Sequence, residues 1–179
     1  MIYHLISFQK PSSERIVITQ AVDFSYILKM IYLLNDTDEI IWIKVRARGQ
    51  TFLLCNTYRP EWTDNEYWTR LNHEIGVGYQ VNDNIVILGD FNSDLFITNN
   101  NKLIETMMLF SLANIISKPT RTTAHSNTLL DPIIISDTMN YIYSDVLKIP
   151  SEISDHDASG FLTMSKECFC FIQTGSLVI

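Results

Sequence analysis

The sequence has too few cysteines to be held together by disulfides or by structural zinc. Its 179 residues include three, Cys55, Cys168 and Cys170. They form neither an even disulfide framework nor the paired spacing of a zinc site, so a reducing compartment is expected. The amino end also lacks the basic region, apolar core and cleavage site of a signal peptide, and charges interrupt every apolar run before it reaches membrane-spanning length. We therefore expect a soluble intracellular protein with no membrane partner.

Positive charge is also scarce. The chain has 13 Lys and Arg against 20 Asp and Glu, a net charge of -7, which excludes a broad basic surface for gripping nucleic acid. Any contact with DNA must then be local. An acidic balance does suit an enzyme whose carboxylates hold a divalent cation, because the cation supplies the positive charge that a phosphate needs. A hydrophobic content of 46% predicts one folded domain rather than a disordered chain.

Apolar patterning predicts the elements of the first half of the chain. Residues 1–35 predict a strand followed by a helix, without a chemical motif. Residues 39–58 alternate around a Gly-Gln turn and predict a hairpin. A capping-box sequence and helical apolar spacing predict a helix over residues 64–76, ended by Gly76 and Gly78.

In the second half, the fully apolar run 85–88 predicts a strand buried on both faces, with Asp90 at its carboxyl end. The asparagines at 99–101 are typical caps, and they predict a helix that ends near Asn114. Two further strands are predicted over 129–136 and 158–164. Strands mixed with helices predict an α/β or α+β layered architecture, in which strand ends are the usual place for a site.

Two short segments carry polar groups suited to phosphate chemistry. In Gly89-Asp90-Phe91-Asn92, a carboxylate that could accept a proton from water and an amide leave the same strand end. A plain turn explains that tetrapeptide equally well. In Ser154-Asp155-His156-Asp157, two acids flank a histidine that could stay partly protonated and stabilise a phosphate. Taken alone, a loop or helix cap of solvated acids is the better interpretation of that segment.

Two other segments are weaker. Asp131 lies within an apolar sequence, so it must be paired, bound to metal or at an exposed strand margin, and Pro132 favours a strand start or edge. Tyr58 and Arg59 follow a strand and could both reach a phosphate. The aromatic residues Trp62, Tyr67 and Trp68 suit a stacking platform for bases, although helix packing explains them better.

The order and spacing of these segments resemble the endonuclease domain of non-LTR retrotransposons. The resemblance covers roughly residues 39–160 and rests on four ordered matches: Tyr58-Arg59-Pro60, then Gly89-Asp90-Phe91-Asn92, then Lys118-Pro119-Thr120-Arg121 leading to Ser126-x-x-Leu129-Leu130-Asp131-Pro132-Ile133, and then Ser154-Asp155-His156. It implies a DNase I-like fold, a two-sheet β-sandwich flanked by helices. It also implies a division into a divergent segment 1–38, the domain proper at 39–164 and a divergent tail 165–179.

The resemblance also implies a function, the Mg²⁺- or Mn²⁺-dependent nicking of DNA, which would place the protein in the nucleus. Asp90 would activate water, Asp131 would orient His156, and Asp90 and Asp155 would contact the metal. The remaining implied contacts to phosphate or DNA are Tyr58, Asn92, His156, Arg59, Arg121, Thr122 and Ser154. No protein partner is implied.

The amino end departs from the family pattern. The family carries an asparagine on its first strand and later a metal-binding glutamate, whereas the 38 residues before the hairpin contain Glu14 and Asn35 without either motif. We therefore expect an incomplete or divergent copy, weak Mg²⁺ binding and little nicking. Two alternatives stay open: a catalytically inactive remnant that at most binds nucleic acid or a partner, and a phosphomonoesterase. The Tyr-Arg-Pro and Leu-Leu-Asp-Pro-Ile segments favour the retrotransposon endonucleases over the phosphatases.

Overall fold

The chain builds two sheets that pack face to face. The computed structural model describes residues 3–9, 15–21, 40–47, 50–63, 65–163 and 169–173. In one sheet, all neighbours are antiparallel and the order is β1-β2-β12-β11-β10. Its strands are β1 (Tyr3–Gln9), β2 (Arg15–Ala21), β10 (Tyr141–Leu147), β11 (Ala158–Thr163) and β12 (Phe169–Gln173).

The other sheet is mixed and has the order β3-β4-β5-β9-β6. Its strands are β3 (Ile40–Ala47), β4 (Gln50–Tyr58), β5 (Ile85–Asp90), β6 (Leu112–Asn114) and β9 (Ile133–Ser136). A two-stranded ribbon, β7 (Arg121–Thr122) and β8 (Asn127–Thr128), stands apart. The described helices are α1 (Asn65–Val81) and α2 (Lys102–Leu109), and neither is long and apolar enough to cross a membrane.

The mixed sheet is apolar on both faces, and each face has its own cluster. On one face Trp42, Leu53 and Ile87 pack with Leu71 and Ile75 of α1. The other face packs toward the antiparallel sheet, and its cluster includes Val86, Leu88, Ile133 and Phe161. The molecule is therefore a two-sheet sandwich with helices on the outer face of the mixed sheet, and the predicted fold class is confirmed.

Several predicted elements are confirmed. The hairpin is β3 and β4, which pair from Ile40 with Thr57 to Ala47 with Gln50. The buried strand is β5, whose residues Ile85 to Leu88 are at most 1% exposed. Within residues 1–35, the structure describes the strands β1 and β2. The helix that was predicted there lies outside the described residues. The division at residues 38 and 165 stays a prediction, and β1, β2 and β12 all belong to the antiparallel sheet.

Three element ends were predicted wrongly. Helix α1 continues through Gly76 and Gly78 to Val81, because Gly78 packs against the Trp42 ring, where a Cβ would come within 3.1 Å. Helix α2 ends at Leu109 rather than near Asn114, because the chain turns at Ser111 with a φ of 52° and then adds β6 to the sheet. The strand predicted from residue 129 begins at Ile133.

One glycine controls how closely β4 and β5 can approach. These strands are parallel neighbours, and Gly89 has a φ of +143°, which L side chains rarely adopt. A Cβ on Gly89 would lie 1.7 Å from the Thr57 carbonyl oxygen. The residue that precedes Asp90 must therefore be glycine if the two strands are to end side by side.

We expect Gly89→Ala to lower the free energy of unfolding by about 3 kcal/mol or more, because strain and a backbone clash act together. Urea unfolding followed by circular dichroism would measure the change. Gly76→Ala is the matched control, since a Cβ there meets nothing within 4 Å and alanine favours the helix by roughly 0.5–1 kcal/mol. Equal stability of Gly89→Ala and the parent chain would contradict the close approach.

Candidate active site

The site begins at the carboxyl ends of two parallel strands. Tyr58 ends β4 and Asp90 ends β5, and the two residues are partners in the strand register. Antiparallel β9 pairs Ile133 with Leu88, and continuing that register brings Asp131 beside Asp90. The Phe91 N–H donates to the Leu130 carbonyl at 3.0 Å, which holds the two segments together beyond the strands. Tyr58, Asp90 and Asp131, all predicted site residues, therefore meet at one end of the mixed sheet.

The loop after Asp90 is held in one conformation. Asn92 has a left-handed φ of 44°, its N–H donates to Asp90 Oδ1 at 3.0 Å, and its side-chain amide donates to the Arg59 carbonyl at 2.9 Å. This short turn fixes the Asp90 carboxylate and leaves the second amide hydrogen of Asn92 for a ligand. Asn92 is thus held beside the Asp90 carboxylate, and its contact with phosphate stays a prediction.

Arg59 has internal partners. Its guanidinium donates to the carbonyls of Phe91, Asn92 and Thr63, each at 3.2 Å, and lies 5.2 Å from the centroid of the Trp68 ring. These contacts tie the loop after β4 to the loop after β5. The structure therefore gives Arg59 a positioning role, and its contact with phosphate stays a prediction.

Asp131 and His156 form a buried pair between the two sheets. The Nδ1 atom of His156 lies 2.8 Å from Asp131 Oδ2, and the side chains are 10% and 0% exposed. With an ionised carboxylate, Nδ1 is the donor, which leaves Nε2 to face a ligand. The sequence predicted this role for Asp131 by resemblance, and the structure contains the contact.

Thr120 supports this pair and was not singled out from the sequence. It is fully buried, and its Oγ1 accepts from the N–H groups of Leu130 and Asp131 at 3.1 and 3.0 Å. Its carbonyl accepts the Asp157 N–H at 2.7 Å, in the segment that carries His156. One threonine therefore positions both halves of the pair. A threonine within Lys-Pro-Thr-Arg was the available signal, but no local pattern reveals backbone contacts made so far along the chain.

The charges of the site oppose one another. Burial, followed by the charge of Asp131, raises the pKa of Asp90 from 3.8 to about 6. Burial lowers the pKa of His156, but the hydrogen bond and charge of Asp131, with the charges of Asp90 and Asp155, outweigh it and leave that pKa raised. The arrangement thus contains a carboxylate poised to take up a proton and a histidine that favours its charged form.

Three potential metal-ligating groups lie close together. Ligand atoms of Asp90, Asp131 and His156 are all within 4.8 Å of one another. Asp131 Oδ1 is buried and has no hydrogen-bond partner among the described residues, and such an atom is costly unless a cation or proton faces it. The two carboxylates fit a hard divalent cation, which prefers oxygen. His156, which favours its charged form, does not fit such a cation.

The other predicted contacts lie around this centre, and their roles stay predictions. Asp155, predicted to contact metal, bonds Arg121 Nε at 2.9 Å and is 63% exposed, so it does not join the carboxylate group. Thr122 accepts from Lys148 Nζ at 3.3 Å. The Ser154 hydroxyl accepts the His156 N–H at 3.0 Å, which positions the histidine segment. Glu14 and Asn35 lie outside the described residues.

The sequence matches no protein-family model and no curated protein at a significant level. The fold, in contrast, is similar to solved structures. The endonuclease domain of TRAS1, a telomere-specific non-LTR retrotransposon, has a TM-score of 0.68 and 15% identity over 92% of this chain and 81% of its own. An endonuclease/exonuclease/phosphatase protein from Bacteroides vulgatus has a TM-score of 0.62 and 16% identity, with 96% and 76% covered.

A mannosyl-6-phosphatase from Bacteroides thetaiotaomicron is also similar, with a TM-score of 0.55 and 14% identity over 99% of this chain and 77% of its own. Endonucleases and phosphatases both occur among these structures. The likeness shows that the chain has a DNase I-like fold. At this identity it shows the fold alone, so the reaction must be argued from the site.

The raised pKa of Asp90 has a consequence for stability. The folded chain keeps a proton on Asp90 between pH 4 and about pH 6 that the unfolded chain loses, so the free energy of unfolding falls as pH rises through that window. We expect Asp90→Asn in EDTA to be more stable than the parent at pH 8, by on the order of 2 kcal/mol, and nearly equal at pH 4. Urea unfolding at both pH values measures this. If Asp90→Asn is less stable than the parent at pH 8, the assignment of Asp90 as a carboxylate with a raised pKa is contradicted.

Proposed function

We propose that this protein, a domain with the DNase I-like fold, hydrolyses phosphodiester bonds in DNA with the help of Mg²⁺ or Mn²⁺, and nicks one strand. One observation carries the proposal: the Asp131–His156 pair and the Asp90 carboxylate meet at the end of the mixed sheet. A proton acceptor, a charged donor and an oxygen-rich cation site are what attack of water on a phosphodiester needs.

Asp90 acts as the proton acceptor. A carboxylate with a pKa of about 6 is largely ionised near neutral pH, yet basic enough to take a proton from an attacking water. The Asn92 N–H on Asp90 Oδ1 fixes the direction of the carboxylate, so its other oxygen is the one that meets the water. The hydrogen bonds of Arg59 hold that loop rigid during the proton transfer.

His156 stabilises the charge that develops on the phosphate. The Asp131 carboxylate holds Nδ1, so the charged ring presents its Nε2 proton to a phosphate oxygen. Tyr58, beside Asp90, and the second amide hydrogen of Asn92 supply neutral hydrogen bonds to the same group. The chain therefore offers both charged and neutral donors to a single phosphate.

Asp90 and Asp131 are the residues that would hold the cation. The metal would supply positive charge to the phosphate and relieve the repulsion between these two carboxylates. The unpartnered Asp131 Oδ1 is the observation that fits this role. Asp155 is not counted among the ligands, because its carboxylate is bonded to Arg121.

DNA is proposed as the substrate on two grounds. The sandwich resembles that of a retrotransposon endonuclease domain more fully than that of a mannosyl-6-phosphatase, with TM-scores of 0.68 and 0.55. The sequence segments around Tyr58 and Asp131 also resemble the retrotransposon endonucleases. A protein that cuts chromosomal DNA would work in the nucleus.

The activity test measures nicking of supercoiled DNA in Mg²⁺ or Mn²⁺, and the divergent amino end predicts a low rate for the parent. His156→Ala and Asp90→Ala should each lower the rate by about 10²-fold or more, because each removes a group that moves or stabilises charge in the transition state. Tyr58→Phe should lose less, because it removes one neutral hydrogen bond. His73→Ala, an exposed histidine of α1, is the matched control and should nick like the parent.

Parent rates in both alanine variants would assign the activity to another site or to a contaminant. Hydrolysis of a phosphomonoester without nicking would favour a phosphatase instead. Metal binding has a readout that needs no turnover: the melting temperature of the parent should rise with Mg²⁺ concentration, and that of Asp90→Asn should rise less. A parent that neither nicks nor gains stability with Mg²⁺ or Mn²⁺ would support an inactive remnant.

A further inference from the structure

Trp62 is the most exposed large apolar side chain among the described residues, at 83%. The next two aromatic residues along the chain behave differently, since Tyr67 is fully buried and Trp68 is 8% exposed. The core thus uses Tyr67 and Trp68, and packing explains them. Packing does not explain Trp62, because the described structure leaves its ring in solvent.

The backbone that carries Trp62 is held in a hydrogen-bonded turn. Trp62 is a central residue of a turn closed by Thr63, whose N–H and hydroxyl donate to the Pro60 carbonyl at 3.1 and 2.7 Å. The Arg59 guanidinium caps the turn at the Thr63 carbonyl and donates with its other nitrogen to the Asn92 carbonyl. The turn that carries the exposed ring is therefore tied to the loop of the proposed site. Because this backbone is already ordered, it loses little conformational entropy when the ring meets a ligand.

Trp62 also lies within reach of a substrate bound at the site. It follows Tyr58 by four residues, and Tyr58 is the register partner of Asp90. The Cα of Trp62 can be at most about 15 Å from that of Tyr58. Neighbouring nucleotides of a strand are spaced roughly 3.4 Å apart along a duplex, so the Cα of Trp62 lies within a span of about four nucleotides from Tyr58.

The charges near the site leave a need for such a contact. Arg121 is bonded to Asp155 at 2.9 Å, and Lys148 to Asp157 at 2.6 Å, so these cations are already neutralised. The whole chain has a net charge of -7. Binding of DNA through counterion release must therefore be weak. Stacking of a base on an aromatic ring requires no positive charge, and it contributes about 1–3 kcal/mol per base.

We infer that Trp62 stacks on an unpaired base within about four nucleotides of the bond to be cut, so that the protein prefers DNA with unpaired bases to a continuous duplex. The inference rests on the proposed action on DNA. In a continuous duplex each base face is covered by its neighbours, and Trp62 has no free face to meet. At a bubble, a flap or a single strand, a base is free to stack on the exposed ring.

The test measures binding in EDTA, where hydrolysis plays no part. Fluorescence anisotropy would compare a labelled single strand, a duplex with a central bubble and a continuous duplex, each binding the parent, Trp62→Ala and Trp62→Phe. Trp62→Ala should bind the single strand and the bubble about 10-fold more weakly and the continuous duplex unchanged. Trp62→Phe should recover most of the loss. Met108→Ala is the matched control, since Met108 is 78% exposed on α2 and should bind like the parent.

A second readout follows Trp62 itself. The chain has three tryptophans, and Trp42 and Trp68 are 2% and 8% exposed, so acrylamide quenches mainly Trp62. A bound single strand should protect that fluorescence, and a strand with abasic sites should protect it less. Parent-like binding by Trp62→Ala, equal protection by the abasic strand, or no binding of single strands by the parent would each overturn the inference.

The outcomes separate this inference from the proposed function. Trp62-dependent binding in EDTA, from a chain that never nicks with Mg²⁺ or Mn²⁺, would leave the stacking contact in place and reject the endonuclease. Nicking that depends on His156 but not on Trp62, together with unchanged binding by Trp62→Ala, would support the endonuclease and reject the stacking contact.

Discussion

The hydrogen bond between Asp131 and His156 is the contact on which the site depends, because it joins the two sheets. Asp131 comes just before β9 of the mixed sheet, and His156 just before β11 of the antiparallel sheet. Thr120 binds the backbone of both segments, so the two sheets meet at this end in a defined way. Neither sheet contains the pair alone. The proposed chemistry therefore requires the sandwich to be closed at this end.

Chemistry and stability oppose each other at this end of the molecule. Asp90 and Asp131 are two carboxylates brought together by the register of β5 and β9, and their repulsion adds to the cost of burying Asp90. A chain selected for stability alone would place a neutral residue at position 90. Holding both acids against that cost is what one expects of a group built to receive a cation or a proton.

The sequence predicted what depends on neighbours along the chain. Ile85 to Leu88 identified a buried strand that delivers Asp90, and alternation identified the β3–β4 hairpin. Features that depend on contacts between distant parts of the chain were either predicted wrongly or not predicted at all. Helix α1 passes through Gly78 because Trp42, from another element, fills the space beside it. The role of Thr120 depends on backbone groups of two other segments, and the guanidinium of Arg59 is taken by carbonyls of the next loop. None of these partners is visible in a local pattern.

The adjacent residues Gly89 and Asp90 have different functions: Gly89 is needed for folding, and Asp90 is needed for the proposed chemistry. Mutations at the two positions therefore have different consequences. Any side chain at position 89 collides with the Thr57 backbone, so a substitution there destabilises the fold. Replacement of Asp90 by asparagine is expected to keep the fold and to stabilise it near pH 8, while removing the carboxylate. Among diverging copies of such a gene, the glycine would be retained for as long as the product folds, and the aspartate for as long as the product is selected to act. Substitutions at the two neighbouring codons would thus show separately how long the product was selected to fold and how long it was selected to act.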